Sequence, residues 1–289
     1  MKPAAGAGGA RVRVFAPAKL NLGLRILGRR ADGYHELESV FAPLDLADEI
    51  ELEIAEAARP EVTLALAGAP AGVPDDATNL AVRAAAGFLA AAGLARSVRI
   101  FLTKSIPAAA GLGGGSSDAG AVLRALAASF PDALEGQALA RLALRLGADV
   151  PYFLDPRPAR VGGIGERIQP LADFAPLACL LANPGVPLST AAVFAAFDAR
   201  PIPAPRDLDR ELGLDLGNDL EPAAERLCPA IAPLRERLRA EGARAVGLSG
   251  SGPTVFGIFP DAAEAARALA RAAFARPVWA RVAEVPKAG

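Results

Sequence analysis

Cysteine is scarce in this chain: two in 289 residues, Cys179 and Cys228, with no CxxC spacing and no histidine beside either. That argues against a disulfide framework or a zinc site, and both read as buried thiols. Histidine is scarcer, His35 being the only one, and nothing near it suggests a catalytic triad. Nor does either sign of charge dominate. Thirty-one Lys and Arg face 32 Asp and Glu, a formal net charge of -1, so no bulk cationic field gathers nucleic acid or anionic lipid. Any anion must be held locally. No segment runs to about eighteen uncharged apolar residues, and the start, "MKPAAGAGGARVRV", has no continuous apolar h-region. The expectation is a cytoplasmic protein with neither nucleic acid nor membrane as partner.

What is present is a chain with 52% hydrophobic and 22% charged residues, long enough for about two domains that each bury a core. The first ten or so residues, rich in Ala, Gly and Pro, read as a mobile tail. Alternation in "RVRVFAP", "DEIELEIAE", "EVTLALAG" and "SVRIFLTK" predicts half-buried strands suited to a mixed sheet. "DDATNLAVRAAAGFLAAAG" predicts a helix stopped by Gly93, and "EGQALARLALRLG" another that ends at Gly147 before "ADVPYFL".

In the second half, "PLACLLANPG" reads as a strand, and "STAAVFAAFD", "NDLEPAAERL" and "APLRERLRAEG" as helical. "ARAVGLSGSGPTVFGIF" predicts two strands about a Gly-rich turn, "DAAEAARALARAAFA" a helix and "VWARVAEV" a last strand. That order fits a split βαβ layer with helices on one face. "DPRPARVGGIGERIQPLADFAP", dense in Gly and Pro, is the candidate crossing between domains, and "DARPIPAPRD" reads as a loop.

The densest glycine lies in "PAAAGLGGGSSDAGAVLRAL", residues 107–126. Ala119, Val122, Leu123, Leu126 and Phe130 recur at helical spacing, so a helix begins near Ser116 or Ser117. Its first amides lack intrahelical acceptors and sit at the positive end of the helix dipole, which favours a phosphate, and glycines let a ligand approach the bare backbone. A flexible turn with a Ser N-cap is the plain alternative. The stretch is neither a Walker A loop nor a Rossmann fingerprint. From the residues alone the reading is a phosphate binder, with a nucleotide favoured.

"PAAAGLGGGSSDAG" resembles the phosphate loop of the galactokinase, homoserine kinase, mevalonate kinase and phosphomevalonate kinase (GHMP) superfamily. "APAKLNLGLRILGRRADGYHELESVF", "LGADVPYFL" and "GLSGSGPTVFGIF" are similar to motifs of its 4-diphosphocytidyl-2-C-methyl-D-erythritol kinase family, from about Val12 to Val282. The resemblance implies an α+β, two-domain GHMP kinase fold. An N-terminal mixed sheet with helices would bind ATP and carry catalysis over 11–165, and a ferredoxin-like split βαβ domain would bind substrate over 166–289. It also implies ATP-dependent phosphorylation of a tertiary hydroxyl on a cytidyl diphosphate alcohol in the non-mevalonate isoprenoid precursor pathway.

Residue by residue, the resemblance implies Asp149 as the base that takes the hydroxyl proton, and Lys19 as the cation that orients it and steadies developing charge. Pro107, Gly111, Leu112, Gly113, Gly114, Gly115, Ser116 and Ser117 would cradle ATP, with Lys104 flanking them. His35 would read cytosine while Tyr34 and Phe194 stack on it, a core Phe being the alternative for Phe194. Asn21 and Asp32 would lie near the substrate, and Gly250, Ser251 and Gly252 would approach the transferring phosphate. Mg²⁺ is expected with ATP, its ligands unassigned beyond Ser116 or Ser117. Oligomeric state, a homodimer included, is not legible. A sister kinase for homoserine or a mevalonate derivative, or a non-catalytic nucleotide-binding module, remains the alternative. Two departures stand out: "PAAAG" where the family loop often has more glycine, and Gly120 inside the following helix.

Overall fold

Alternating apolar side chains at Val12 and Val14 open a strand, β1 (Ala10–Arg29), that outruns the alternation, because from Ala18 to Leu24 both of its faces are buried. In β2 (His35–Glu56) only Phe41–Leu44 are buried on both faces, and burial alternates from Leu46 to Ile54. The computed structural model describes residues 10–68, 72–201, 208–209 and 214–287. The predicted tail at residues 1–9 and most of the predicted loop "DARPIPAPRD" lie outside them.

The chain divides into two compact units and passes between them after Ala18, Leu46, Ala108, Leu112 and Pro156. The first unit holds the end of β2, β3 (Glu61–Ala67) and β4 (Arg96–Thr103). Residues Glu49–Glu56 of β2 run antiparallel to β4, which pairs in parallel with β3. A parallel pair needs a crossover, and α1 (Leu80–Ala92) supplies it, capped by Asn79, whose side chain accepts from the Ala81 amide, and closed by Gly93 at φ +62°. Two further helices, α2 (Gly114–Ser129) and α3 (Gly136–Leu146), complete the layer. Phe88 and Leu89 from α1, Val122, Leu123 and Leu126 from α2, and Leu142 from α3 meet Ile50, Leu52, Ile100 and Leu102 of the strands in one core.

In the second unit, Leu37–Phe41 of β2 pair antiparallel with β5 (Ala159–Gly163), which forms a hairpin with β6 (Arg167–Pro170). The Gly- and Pro-rich segment that the sequence marks as a crossing therefore carries two strands. A second sheet follows: β7 (Leu177–Asn183), then, after α4 (Thr190–Ala199), the two-residue ladder β8 (Leu208–Asp209) with β9 (Leu214–Asp215), α5 (Glu221–Leu227) and α6 (Ile231–Ala240), come β10 (Ala245–Leu248), β11 (Val255–Phe259), α7 (Ala262–Ala272) and β12 (Trp279–Val285). The spatial order β10-β11-β7-β12, antiparallel throughout, is the ferredoxin-like split βαβ arrangement that the element order indicated. Cys179 on β7 is fully buried, which pushes its thiol up to about 12, and Cys228 is likewise buried and free. Both are the inert thiols the sequence suggested.

Candidate active site

Within the first unit the glycine loop runs directly into α2. The helix begins at Gly114, two residues before the predicted start, and its N-cap is Gly113 at φ +72° with no side-chain cap. No serine caps it: Ser117 lies inside the first turn, its amide bonded to the Gly113 carbonyl at 2.8 Å. The amides of Gly114, Gly115 and Ser116 precede any intrahelical acceptor, so the turn presents backbone donors at the positive end of the helix dipole. Ser116 lies beside the turn that carries Asp149: a Cβ built on Gly147 stands 3.9 Å from Ser116 Oγ. Asp149 also faces Tyr152, whose phenol is pushed up by burial first and by the charges of Asp149 and Asp155 second.

Gly120 has a steric reason. A Cβ there falls 2.4 Å from Phe153 Cβ and 2.9 Å from its backbone, so only glycine lets α2 lie against the segment that follows Asp149. Arg124, one turn further along α2, donates to the Phe153 carbonyl at 2.5 Å and to the Phe15 carbonyl at 2.9 Å. Helix α2 thus fixes the backbone on the far side of Asp149 by shape and by hydrogen bonds.

Lys104 is not the exposed strand-end lysine that its position after β4 would suggest. Its side chain is 3% exposed, and its ammonium bonds both Asp48 and Asp118, the latter at 2.6 Å. Burial pulls the Lys104 ammonium down, yet the charges of Asp118 and Asp48 outweigh it and hold its pKa above the ordinary lysine value. Burial pushes the Asp118 carboxyl up to about 7, opposed by Lys104 and assisted by Asp48. Asp118 Oδ1 and the neighbouring Ser117 Oγ are buried without a hydrogen-bond partner.

In the second unit three distant motifs converge. The Lys19 ammonium donates to Asn21 Oδ1 and lies 4.6 Å from the centre of the Phe41 ring, while the Lys19 amide bonds the Leu112 carbonyl at 3.0 Å. Asn21 bonds Ser39, which donates to the Gly23 carbonyl at 2.6 Å. A Cβ on Gly250, at φ +58°, meets Asn21 Oδ1 at 3.2 Å and Lys19 Nζ at 3.5 Å. Ser249 donates to the Gly111 carbonyl at 2.9 Å and accepts from the Asn21 amide at 3.3 Å. Gly111 needs its missing side chain, since a Cβ at this φ of +74° falls 2.2 Å from the Ser249 carbonyl. Ser251 shares a hydrogen bond of 2.9 Å with Thr190 at the start of α4.

A further group in the same unit centres on His35. Its ring stacks on Phe194 with centroids 4.7 Å apart and meets Phe197 edge-on at 6.2 Å. Nε2 bonds Asp198 at 2.7 Å. One face of Phe194 is therefore covered by His35 itself. Tyr34 is 57% exposed, and Asp32 accepts from the Tyr34 amide at 3.2 Å while pairing with Arg30. Asp198, Asp48 and Asp118 are the polar partners sequence reasoning missed. Among the described residues no group of three or more His, Cys, Asp or Glu side chains forms a metal site, and no helix is long and apolar enough to cross a membrane.

The family model for the GHMP kinases N terminal domain matches residues 79–155, which span the glycine loop, α2 and Asp149, and that for the GHMP kinases C terminal matches 193–276. The chain belongs to the GHMP kinases. A protein of Paracoccus denitrificans named 4-diphosphocytidyl-2-C-methyl-D-erythritol kinase is 45% identical over 280 residues, 92% of this chain and 94% of that protein. A crystal structure of 4-(cytidine 5'-diphospho)-2C-methyl-D-erythritol kinase superposes with a TM-score of 0.75 at 39% identity, covering 94% of this chain and 99% of the other. Homoserine kinase from Cytophaga hutchinsonii, with a TM-score of 0.71 at 19% identity over 96% of this GHMP kinase and 94% of its own chain, shares the fold. Membership makes this protein a small-molecule kinase and implies the use of ATP.

Proposed function

We infer that this kinase transfers the γ-phosphoryl group of ATP to the 2-hydroxyl of 4-diphosphocytidyl-2-C-methyl-D-erythritol. The observation that carries the reading is the α2 turn: amides at Gly114–Ser116 that precede any intrahelical acceptor, with Ser116 beside the Gly147–Asp149 turn. The triphosphate lies along residues 111–117, Pro107 leading into them and Lys104 beneath. The acceptor oxygen attacks the γ-phosphorus, the bond to the β,γ-bridging oxygen breaks to release ADP, and the hydroxyl proton passes to Asp149. Lys19, held by Asn21, steadies the charge that develops on the phosphoryl oxygens. Gly250, Ser251 and Gly252 give the phosphate bare backbone and one hydroxyl. His35 and Tyr34 hold the cytosine, with Phe194 behind His35, and Asp32 orders the Tyr34 backbone.

Magnesium bound with the nucleotide would neutralise phosphate charge. The residues fit a cation held mainly by phosphates and water, with Ser116 or Ser117 as the protein oxygen, since the Asp118 carboxylate already bonds Lys104. A cytoplasmic location agrees with both substrates being small polar molecules. The test is Asp149→Asn. It keeps the shape of the turn but cannot take a proton, so turnover should fall by about 10²- to 10⁴-fold while calorimetry finds ATP binding unchanged. Full turnover by the variant overturns the assignment.

A further inference from the structure

The segment that leaves β4 at Lys104–Ile106 and the first turn of α2 are the two arms of the glycine loop, and one buried ion cluster ties them together. Lys104 Nζ bonds Asp118 on the helix arm at 2.6 Å. It also bonds Asp48 Oδ2, while the other oxygen of Asp48 accepts from the Ser105 and Ile106 amides, the latter at 2.9 Å. Asp48 therefore grips the strand arm by its backbone and the helix arm through Lys104. The fit is close: a Cβ on Gly114 stands 3.1 Å from Ile106 Cγ2 and 3.5 Å from Lys104 Nζ. All three side chains are at least nine-tenths buried, at 3%, 0% and 3% exposure.

Burying three charges is a poor route to stability, because desolvation consumes most of the Coulombic attraction. It is an effective route to geometry. Residues 107–113 between the arms include Gly111 and Gly113 at positive φ, and such a loop has many conformations open to it. A phosphate-binding row of amides is useful only when its spacing is set before the ligand arrives.

We propose that Asp48, Lys104 and Asp118 form an ionic crossbar that sets the spacing of the glycine loop, and that Asp48 and Asp118 are positioning residues for ATP. The charge of Lys104 is then engaged by carboxylates beneath the loop, and the triphosphate is met by backbone. The proposal rests on the reading of residues 111–117 as the ATP site.

The test uses the full chain, with calorimetric binding of the β,γ-imido analogue of ATP, steady-state kinetics for both substrates, and melting temperature. Asp118→Asn cuts the helix-side charge while leaving Asp48 on Lys104. The triple variant Asp48→Asn, Lys104→Met, Asp118→Asn removes every charge, so none is left buried alone. Both should bind the analogue at least tenfold more weakly and raise KM for ATP in step, with KM for the cytidyl alcohol within twofold of the parent. For the triple variant this should occur without a loss of melting temperature, which a purely structural cluster would not produce. Analogue binding within twofold of the parent in either folded variant overturns the crossbar alone. A parent protein that does not bind the analogue overturns the loop reading and the crossbar with it.

Discussion

Ala109 holds φ +48° with a Cβ attached, one residue into the stretch where the family loop often carries glycine. An L-residue in that region costs roughly 1–2 kcal/mol, whereas glycine there costs only the extra freedom it has when unfolded, about 0.5–1 kcal/mol. Ala109→Gly should therefore stabilise the protein by about 0.5–1 kcal/mol, read as a higher urea midpoint at unchanged m. Two residues on, the sign reverses. Gly111→Ala combines the same positive φ with a Cβ 2.2 Å from the Ser249 carbonyl, and should cost about 3 kcal/mol. Equal shifts from the two substitutions would contradict the backbone described for the start of the loop. Position, not glycine content, decides the outcome: the alanine run is tolerated at Ala108 and Ala110, whose φ is not positive, and strained only at Ala109.

At the scale of elements, the β10–β11 connection shows how a turn becomes a site. The sequence suggests strands about a glycine turn, and the strands are there, but the six residues between them are held by more than the turn's own bonds, Ser249 amide to Thr254 carbonyl at 3.0 Å and Gly252 amide to Ser249 carbonyl at 2.9 Å. Asn218, just before α5 and fully buried, donates to the Leu248 carbonyl at 2.8 Å and the Gly250 carbonyl at 2.7 Å, and accepts from the Leu220 amide at 2.9 Å. Asn183 on β7 bonds Thr254 at 2.8 Å from the other side. Asn218→Ala orphans two carbonyls and an amide in the interior. Each buried unsatisfied group costs about 1 kcal/mol or more, so the variant should lose about 2–4 kcal/mol in denaturant titration and release Gly250 and Ser251 from their fixed course. The loosened turn should also lower kcat in the same preparation. A variant with parental stability would mean that water replaces the amide without cost, which a fully buried side chain does not allow.

For the whole molecule, what was legible in the sequence was local. Helix α2, its buried stripe and the glycine loop lie within some twenty residues, and the order of strands and helices after Leu177 prescribed the split βαβ layer. The Asp48–Lys104–Asp118 cluster was not legible: its members stand 56 and 14 residues apart, and Asp48 opens "DEIELEIAE" looking like one more charge on a strand's polar face. Asp198 meets His35 from 163 residues away. The reach of β1 through Ala18–Leu24, and of β2 through Phe41–Leu44, was hidden because burial on both faces erases alternation. Those two strands also decide how the chain can be cut. Although the first unit ends at Pro156, Lys19–Leu46 belong to the second; Leu24 packs into its core, and Leu37–Phe41 pair with β5. A fragment of residues 157–287 would leave β5 with an open edge and the core without Leu24, while a fragment of residues 10–156 would carry Leu20, Leu22, Leu44 and Leu46, all essentially buried, with nothing from beyond Pro156 to cover them. Independently folding domains are joined where few contacts cross, and Pro156 is not such a place for this chain. Expressed alone, each fragment should aggregate or unfold without a cooperative transition by circular dichroism, and co-expression should restore a single soluble species. A 157–287 fragment that melts cooperatively by itself would show that the interleaved strands are dispensable to the second unit.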